Sequence, residues 1–277
     1  MKLFDATLDL ARHAQGIEQH KITAVNSNYR FLCNTLSARH GEYTDGGTCW
    51  FLSGECEGEF SGIKRASGQT VELVDTFDGF DAGDNVALSW FHYFNTQNLI
   101  NAVNHVLYDY PIMDVYEDTT EDPVTYTHDV YEYTLPEDVS LDIRRVELQC
   151  KNFGFPWWKT VENDSFAICH YWHLSGRTLV IDPHFIYEYG GRIKIYYVRD
   201  HGMIVDPSTE LISEQVDRNY LRKMANLWLW THEIQMKHKD NPIAVDMYNQ
   251  AKMDEEALQK KNIPESRLMP KDICYFW

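Results

Sequence analysis

Three short segments carry side chains that could do covalent chemistry. Gly47-Thr48-Cys49-Trp50 offers a thiol, His170-Tyr171-Trp172 an imidazole, and Asp182-Pro183 a carboxylate. A thiolate, a base to take its proton and a carboxylate to orient that base would make a working triad. Two features of the pattern oppose that use. A helix opening at the cysteine would help lower its pKa through the N-terminal dipole, yet the residues after Cys49, FLSGECEGEFSG, cannot make one. His170 also alternates with Phe166, Ile168 and Trp172, as a core-facing residue of a strand does. Cys49, His170 and Asp182 therefore stand as the alternative reading, a cysteine hydrolase, and core packing is the expected one.

Other site chemistries find less support. His170 and His173 fall on opposite faces of a strand. His232-Glu233 is followed by Met236 where a zincin helix needs its second histidine. The acidic run from Asp114 to Asp122 lacks the turn glycine and ligand spacing of a calcium loop. No metal and no cofactor is expected. Gly54, Gly58 and Gly62 have no following Gly-Lys-Ser/Thr and read as backbone turns rather than a phosphate cradle; no G-x-S-x-G occurs. Aromatic residues make up 14% of the chain and could stack on sugars, so a carbohydrate-binding tail component is a further alternative. Most of them lie on strand alternations or helix stripes, where they serve as core or interface anchors. Trp157-Trp158, behind Gly154 and Pro156, belongs to a loop and suggests a contact surface.

Charge narrows the partners. The 277 residues carry a net charge of −17, and the excess is local. From Ala66 to Ile143 there is no Lys or Arg but sixteen Asp and Glu, leaving 26 acids (42 − 16) against 25 bases elsewhere. Such a surface does not grip DNA, because phosphate binding needs cations to displace counterions. Asp114, Glu117, Asp118, Glu121 and Asp122 are the expected acidic face. No apolar run approaches the length of a membrane span, and Asp5 and Asp9 interrupt what would have to be the apolar stretch of a secretory signal, so neither membrane insertion nor secretion is expected. The six cysteines show no C-x-x-C pairing and sit mostly among apolar neighbours, which suits a reducing compartment.

The elements that must position these residues follow from periodicity. Leu3 to about Glu18 reads as a helix, with Phe4, Leu8, Leu10, Ala11, Ala14 and Ile17 near one stripe. Residues 44–94 read as a small antiparallel meander or barrel. Asn95 or Thr96 caps a helix that Pro111 stops. Strands recur from about Tyr126 to Asp200, including Val146–Cys150, Leu179–Ile181 and Ile193–Tyr197, as in a β-sandwich. The last quarter is helical, with Asn241-Pro242 opening a helix that runs to about Lys261. The expected fold class is α+β: a discontinuous helical bundle (1–43, 95–112 and 213–263) carrying two inserted antiparallel β modules (44–94 and 113–212) and an extended C-terminal docking tail (264–277). In that tail Ile273, Tyr275, Phe276 and Trp277 would form a costly apolar patch unless they dock, so they join Trp157 and Trp158 as expected interface residues.

Two families resemble parts of this pattern. Gly47–Trp50, His170-Tyr171-Trp172 and Asp182-Pro183 resemble elements of papain-like and transglutaminase-like enzymes. A larger set of segments, in order along most of the chain, resembles the head-to-tail connector (adaptor) proteins of tailed bacteriophages. These are the leading helix, GGTCWFLSGECEGEFSGI, VALSWFHYFNTQNLINAVNHVL, YEYTLPEDV, RTLVIDP, RIKIYYVR and the helices from Asp217 to Lys261. That resemblance implies a structural, non-enzymatic virion protein at the neck, made in the host cytoplasm. It would form a homo-oligomeric ring of about twelve copies between the portal protein and a tail or nozzle protein. Double-stranded DNA would pass through without specific binding.

Overall fold

A computed structural model describes residues 1–36, 47–89, 94–118, 125–127, 130–149, 158–161, 172–181, 192–205, 210–236 and 241–259. The chain divides into two compact units, one made of Met1–Tyr110 with His201–Pro264 and the other built on Pro111–Asp200.

Unit 1 opens with helix α1 (Leu3–Ala14), which buries Leu3, Phe4, Thr7, Leu10, Ala11 and Ala14 along one stripe. The helix stops short of Glu18, where periodicity would extend it. Gly16 adopts φ 77°, a left-handed conformation that ends a helix cheaply. The chain then enters strands β1 (Ile17–Lys21), β2 (Ala24–Ser27) and β3 (Arg30–Leu32). With β4 (Thr48–Phe51), β5 (Phe60–Ser67), β6 (Thr70–Leu73) and β7 (Asn85–Ser89) they form one antiparallel sheet in the order β1-β7-β4-β5-β6-β3-β2.

That order forces the sheet to curl. β1 and β2 stand at opposite ends of it, yet only Ile22 and Thr23 separate them in sequence. The Ile22 N–H donates to the Asp84 carbonyl (2.8 Å) and the Thr23 N–H to the Leu32 carbonyl (2.8 Å), so the chain steps directly from one edge to the other. A register shift in β5 between Ile63 and Arg65 supplies a bend. Inside the curl Phe31, Phe51 and Phe80 meet at centroid distances of 5.4 to 6.4 Å, with Cys33 and Cys49 buried among them.

β4 is buried on both faces. Cys49 and Phe51 point into the curl, while Thr48 and Trp50 meet the helices. The Trp50 indole N–H donates to Thr7 Oγ1 of α1 (3.2 Å), and the Thr48 and Thr96 hydroxyls lie 2.8 Å apart. Helix α2 (Thr96–Tyr108) is capped by Asn95, whose side chain accepts from the Asn98 N–H (2.9 Å), and Asn98 returns the bond to the Asn95 N–H (3.1 Å). Helices α3 (Arg218–Met236) and α4 (Pro242–Gln259) complete this layer. Leu99, Val103, Leu221, Ala225 and Leu229 are buried, and Trp230 meets Phe94 edge-on at 4.8 Å. Arg222 pairs with Asp9 (3.6 Å), and Asp254 of α4 draws Lys223 (3.5 Å) and His13 (3.9 Å).

Unit 2 consists of β8 (Pro111–Asp118), β9 (Thr125–Thr127), β10 (Val130–Thr134), β11 (Ile143–Gln149), β12 (Trp158–Val161), β13 (Trp172–Ser175), β14 (Thr178–Ile181) and β15 (Ile193–Asp200). They pair as two four-stranded sheets, β13-β14-β10-β9 and β12-β11-β15-β8. One core joins them: Tyr133, Leu179 and Ile181 from the first pack with Val146, Leu148 and Ile195 from the second. Arg177 anchors the loop after β10 by donating to the Val139 carbonyl (2.8 Å) and to the Pro136 carbonyl.

The expected helical-bundle core with β insertions is overturned. More of the described residues lie in strands than in helices: a seven-stranded half-barrel and two smaller sheets, with four helices covering rather than forming the organising core. Much of the error lies in 1–43, assigned to the bundle, because residues 17–32 supply three strands of the sheet. These strands are three to five residues long and alternate too briefly to register as strands beside a strong helical stripe.

Two outcomes follow for stability. Trp50→Phe keeps an aromatic ring but loses the indole bond to Thr7 and part of the buried volume, costing about 2 kcal/mol, whereas Trp50→Ala costs about 3–5 kcal/mol; chemical denaturation measures both. His20 is buried, with Nδ1 3.2 Å from Thr35 Oγ1 and Nε2 3.3 Å from Glu18. Burial lowers its pKa against the opposing pull of Glu18, and burial followed by Arg222 lowers that of His13. The unfolded histidines bind protons near pH 6.5 while the folded ones resist. This stability is therefore complete above that pH and is lost as the pH falls toward the lowered folded values. Thermal unfolding between pH 7.5 and 5.5 should show a declining Tm, with a shallower decline in His20→Asn.

Candidate interaction cleft

The candidate nucleophile is sealed. Cys49 sits mid-strand in β4, paired with Ser61 of β5 and Leu88 of β7, and has no exposed surface. Burial pushes its thiol well above the ordinary range, with Cys33 adding to the rise. Cys33 itself is pushed up to about 12 by burial. A thiol held protonated inside an aromatic core has neither the charge nor the access of a nucleophile. The geometry thus gives Cys49 the packing role. His170 and Asp182 lie outside the described residues, as do Trp157, Ile273, Tyr275, Phe276, Trp277, Glu121 and Asp122; of Trp158 only the backbone, in β12, is described. Among the described residues no group of three or more His, Cys, Asp or Glu side chains is placed to hold a metal ion.

The described part of the acidic face is tied into unit 2. Arg199 Nε donates to Asp114 Oδ2 (2.5 Å), Lys194 lies 3.2 Å from Glu117, and the Tyr133 hydroxyl donates to Asp118 Oδ2 (2.7 Å). β8 and β15 are cross-strand neighbours here, so the acids of one strand meet the cations of the next. Burial, then its bonds to Tyr116 and Asp118, drive the Tyr133 phenol far above its ordinary pKa, so it remains a donor at any physiological pH. Trp50, Trp172 and Trp230 are buried, while the half-buried Trp228 stacks flat on the exposed His232 at 5.1 Å.

What unit 1 does present is a cleft of about 830 Å³ between β5, the end of β6 and the start of α2. Phe60, Val74, Phe77 and Ile100 give it an apolar lining, with Glu57, Glu59, Asp75, Lys2 and Lys64 around them. Gly62 makes the cleft possible. A Cβ there would lie 3.3 Å from both Thr96 Oγ1 and Val74 Cγ2, so the bare backbone lets α2 start directly against β5. Sequence reasoning read Gly62 as a turn, and nothing in its spacing signals a close approach. The wall is fixed by Ser61, whose hydroxyl donates to Asp75 Oδ2 (2.8 Å) and accepts from the Asp75 N–H (3.1 Å). Glu72 holds Lys64 (2.9 Å) and Arg30 (2.8 Å), and those bonds keep its carboxyl below the usual range.

The loops on either side, 53–59 and 74–84, carry Glu55, Glu57, Glu59, Asp75, Asp78, Asp81 and Asp84 and no Lys or Arg. The Asn85 N–H donates to Ser53 Oγ (2.9 Å) and the Asp81 N–H to Asp84 Oδ2 (2.8 Å), giving these loops fixed shapes. The cleft is therefore an apolar floor whose border holds Glu57, Glu59 and Asp75 beside Lys2 and the Glu72-paired Lys64, with acidic loops beyond, a form suited to a peptide with aromatic and basic residues.

Iodoacetamide at pH 8 should leave Cys49 and Cys33 unmodified in the folded protein and label both after denaturation, read by peptide mass spectrometry. Cys49→Ala should fold at a cost of about 1 kcal/mol. The sequence matches no protein-family model and no curated protein.

Proposed function

We propose that this chain is a structural subunit of a head-to-tail connector ring of a tailed bacteriophage virion, contacting a portal protein on one side and a tail protein on the other. The observation that carries this reading is an uncovered apolar segment in unit 1. Met203, Val205 and Leu211 are 56%, 84% and 64% exposed within nine residues. A segment like this is stabilised when another molecule covers it. Its described ends are tied down. The Ile212 N–H donates to the Met1 carbonyl (2.8 Å), the Met1 ammonium to the Ile212 carbonyl (3.1 Å), and Asn104 exchanges two bonds with Ile204 (2.9 and 3.1 Å). Apolar side chains beside backbone anchored in this way lose less entropy on association.

Two further features support the reading. The net charge of −17 suits a conduit that lets DNA pass without holding it. Among the described residues no helix is long and apolar enough to cross a membrane. The residues of the cysteine-hydrolase alternative gain nothing from the position of Cys49.

Native mass spectrometry and electron microscopy of the purified chain should show a closed ring, and gel shift at physiological salt should show no retention of duplex DNA. Val205→Asp with Leu211→Asp should weaken association by roughly a hundredfold or more, because two apolar contacts are lost, while leaving the melting profile of the subunit unchanged. A chain that stays monomeric at every concentration overturns the proposal.

A further inference from the structure

We infer that the cleft of unit 1 is the seat for residues 260–277 of a second copy of this chain. The inference deepens the ring reading and rests on it for the second copy. The segment KKNIPESRLMPKDICYFW holds four cations and two acids in a chain whose total is −17, and ends in Ile273, Tyr275, Phe276 and Trp277. It is a basic segment with an aromatic cluster. The cleft complements it: Phe60, Phe77 and Ile100 line it, Val74 is 63% exposed beside them, and Glu57, Glu59 and Asp75 outnumber Lys2 and Lys64 in the lining, with Lys64 already held by Glu72.

Chain geometry permits the hand-over. α3 and α4 are joined by residues 237–241, too few for anything but an antiparallel pair. The Lys223–Asp254 pair (3.5 Å) fixes their register, which brings Gln259 back alongside the first turn of α3. Met253, near that end of α4, is 64% exposed, so α4 approaches its end along an open surface of the helix layer. Eighteen residues can span up to about 60 Å, more than the width of a unit of this size. A segment of one copy entering the cleft of the next is a heterologous contact, the kind that closes rings. Aromatic side chains would supply the buried anchors, and charge pairing at the border would set the direction of approach.

The test uses the full-length chain with a photo-crosslinking amino acid at Val74, prepared as a mixture of isotope-labelled and unlabelled copies. Crosslinks from position 74 to residues 260–277 should join labelled to unlabelled chains. A synthetic peptide of residues 260–277 should compete them away. Glu57→Lys with Glu59→Lys should weaken peptide binding roughly tenfold at low salt while leaving the thermal melt in place, and a peptide with Tyr275, Phe276 and Trp277 changed to Ser should fail to compete. Crosslinks confined to single chains, or an absence of crosslinks to 260–277, overturn the inference. Rings that form unchanged in the Glu57→Lys, Glu59→Lys protein also overturn it while leaving the connector reading in place. If the native chain never forms rings but the peptide still crosslinks at Val74 and loses binding in the charge variant, the connector reading fails and recognition of the segment by the cleft stands.

Discussion

The architecture of unit 1 depends on a strand that has no outside. β4 must fill the curl of its own sheet with Cys49 and Phe51 while meeting α1 and α2 with Trp50 and Thr48. A strand buried on both faces cannot slip by one residue without moving a tryptophan into a space shaped for a thiol. The indole bond to Thr7 adds a polar lock, because a buried N–H left without an acceptor is costly. Thr7 is itself committed, its hydroxyl donating to the backbone carbonyls of Leu3 and Phe4 (3.0 and 3.1 Å). Helix layer and sheet are thereby registered to each other at one point, and the cleft at the start of α2 inherits that registration through Thr48 and Thr96.

Electrostatics divides the acidic stretch of the sequence into two kinds of surface. In unit 2 the described acids of β8 face Arg199 and Lys194 of β15 or the Tyr133 hydroxyl, so much of their field is spent locally. In unit 1 the acids crowd two loops that contain no cation at all, beside an apolar floor. Net charge alone treats the two as one acidic block. Strand pairing separates them, because cations far along the sequence return to β8 through the antiparallel register.

How much was legible in the sequence can be judged from particular elements. The helix from Thr96 announced itself through Asn95 and Pro111, because capping and breaking are local. Asn241 ahead of Pro242 was equally readable, and its side chain accepts the Ile243 N–H at 3.0 Å. Val71 with Leu73 and Leu179 with Ile181 alternate toward a core as their spacing implies. Residues 17–32 were not legible, since their burial comes from partners such as Asp84 and Leu32 that only the closed sheet brings near. Nor was the cleft, which arises where Gly62 and Thr96 approach, 34 positions apart. For the thiol, the sequence supplied the correct objection: the residues after Cys49 lead into a turn and another strand, with no helix to support a thiolate.

Unit 2 leaves and re-enters unit 1 at adjacent points, for the His201 N–H donates to the Tyr110 carbonyl at 2.8 Å. This bears on synthesis. The strands of unit 2 occupy one uninterrupted stretch of chain, so they can fold as soon as they leave the ribosome. The half-barrel is made earlier, but its helical cover is incomplete until α3 arrives more than a hundred residues later. The half-barrel, translated before unit 2, is thus finished after it, and its apolar flank stays open to water in the interval.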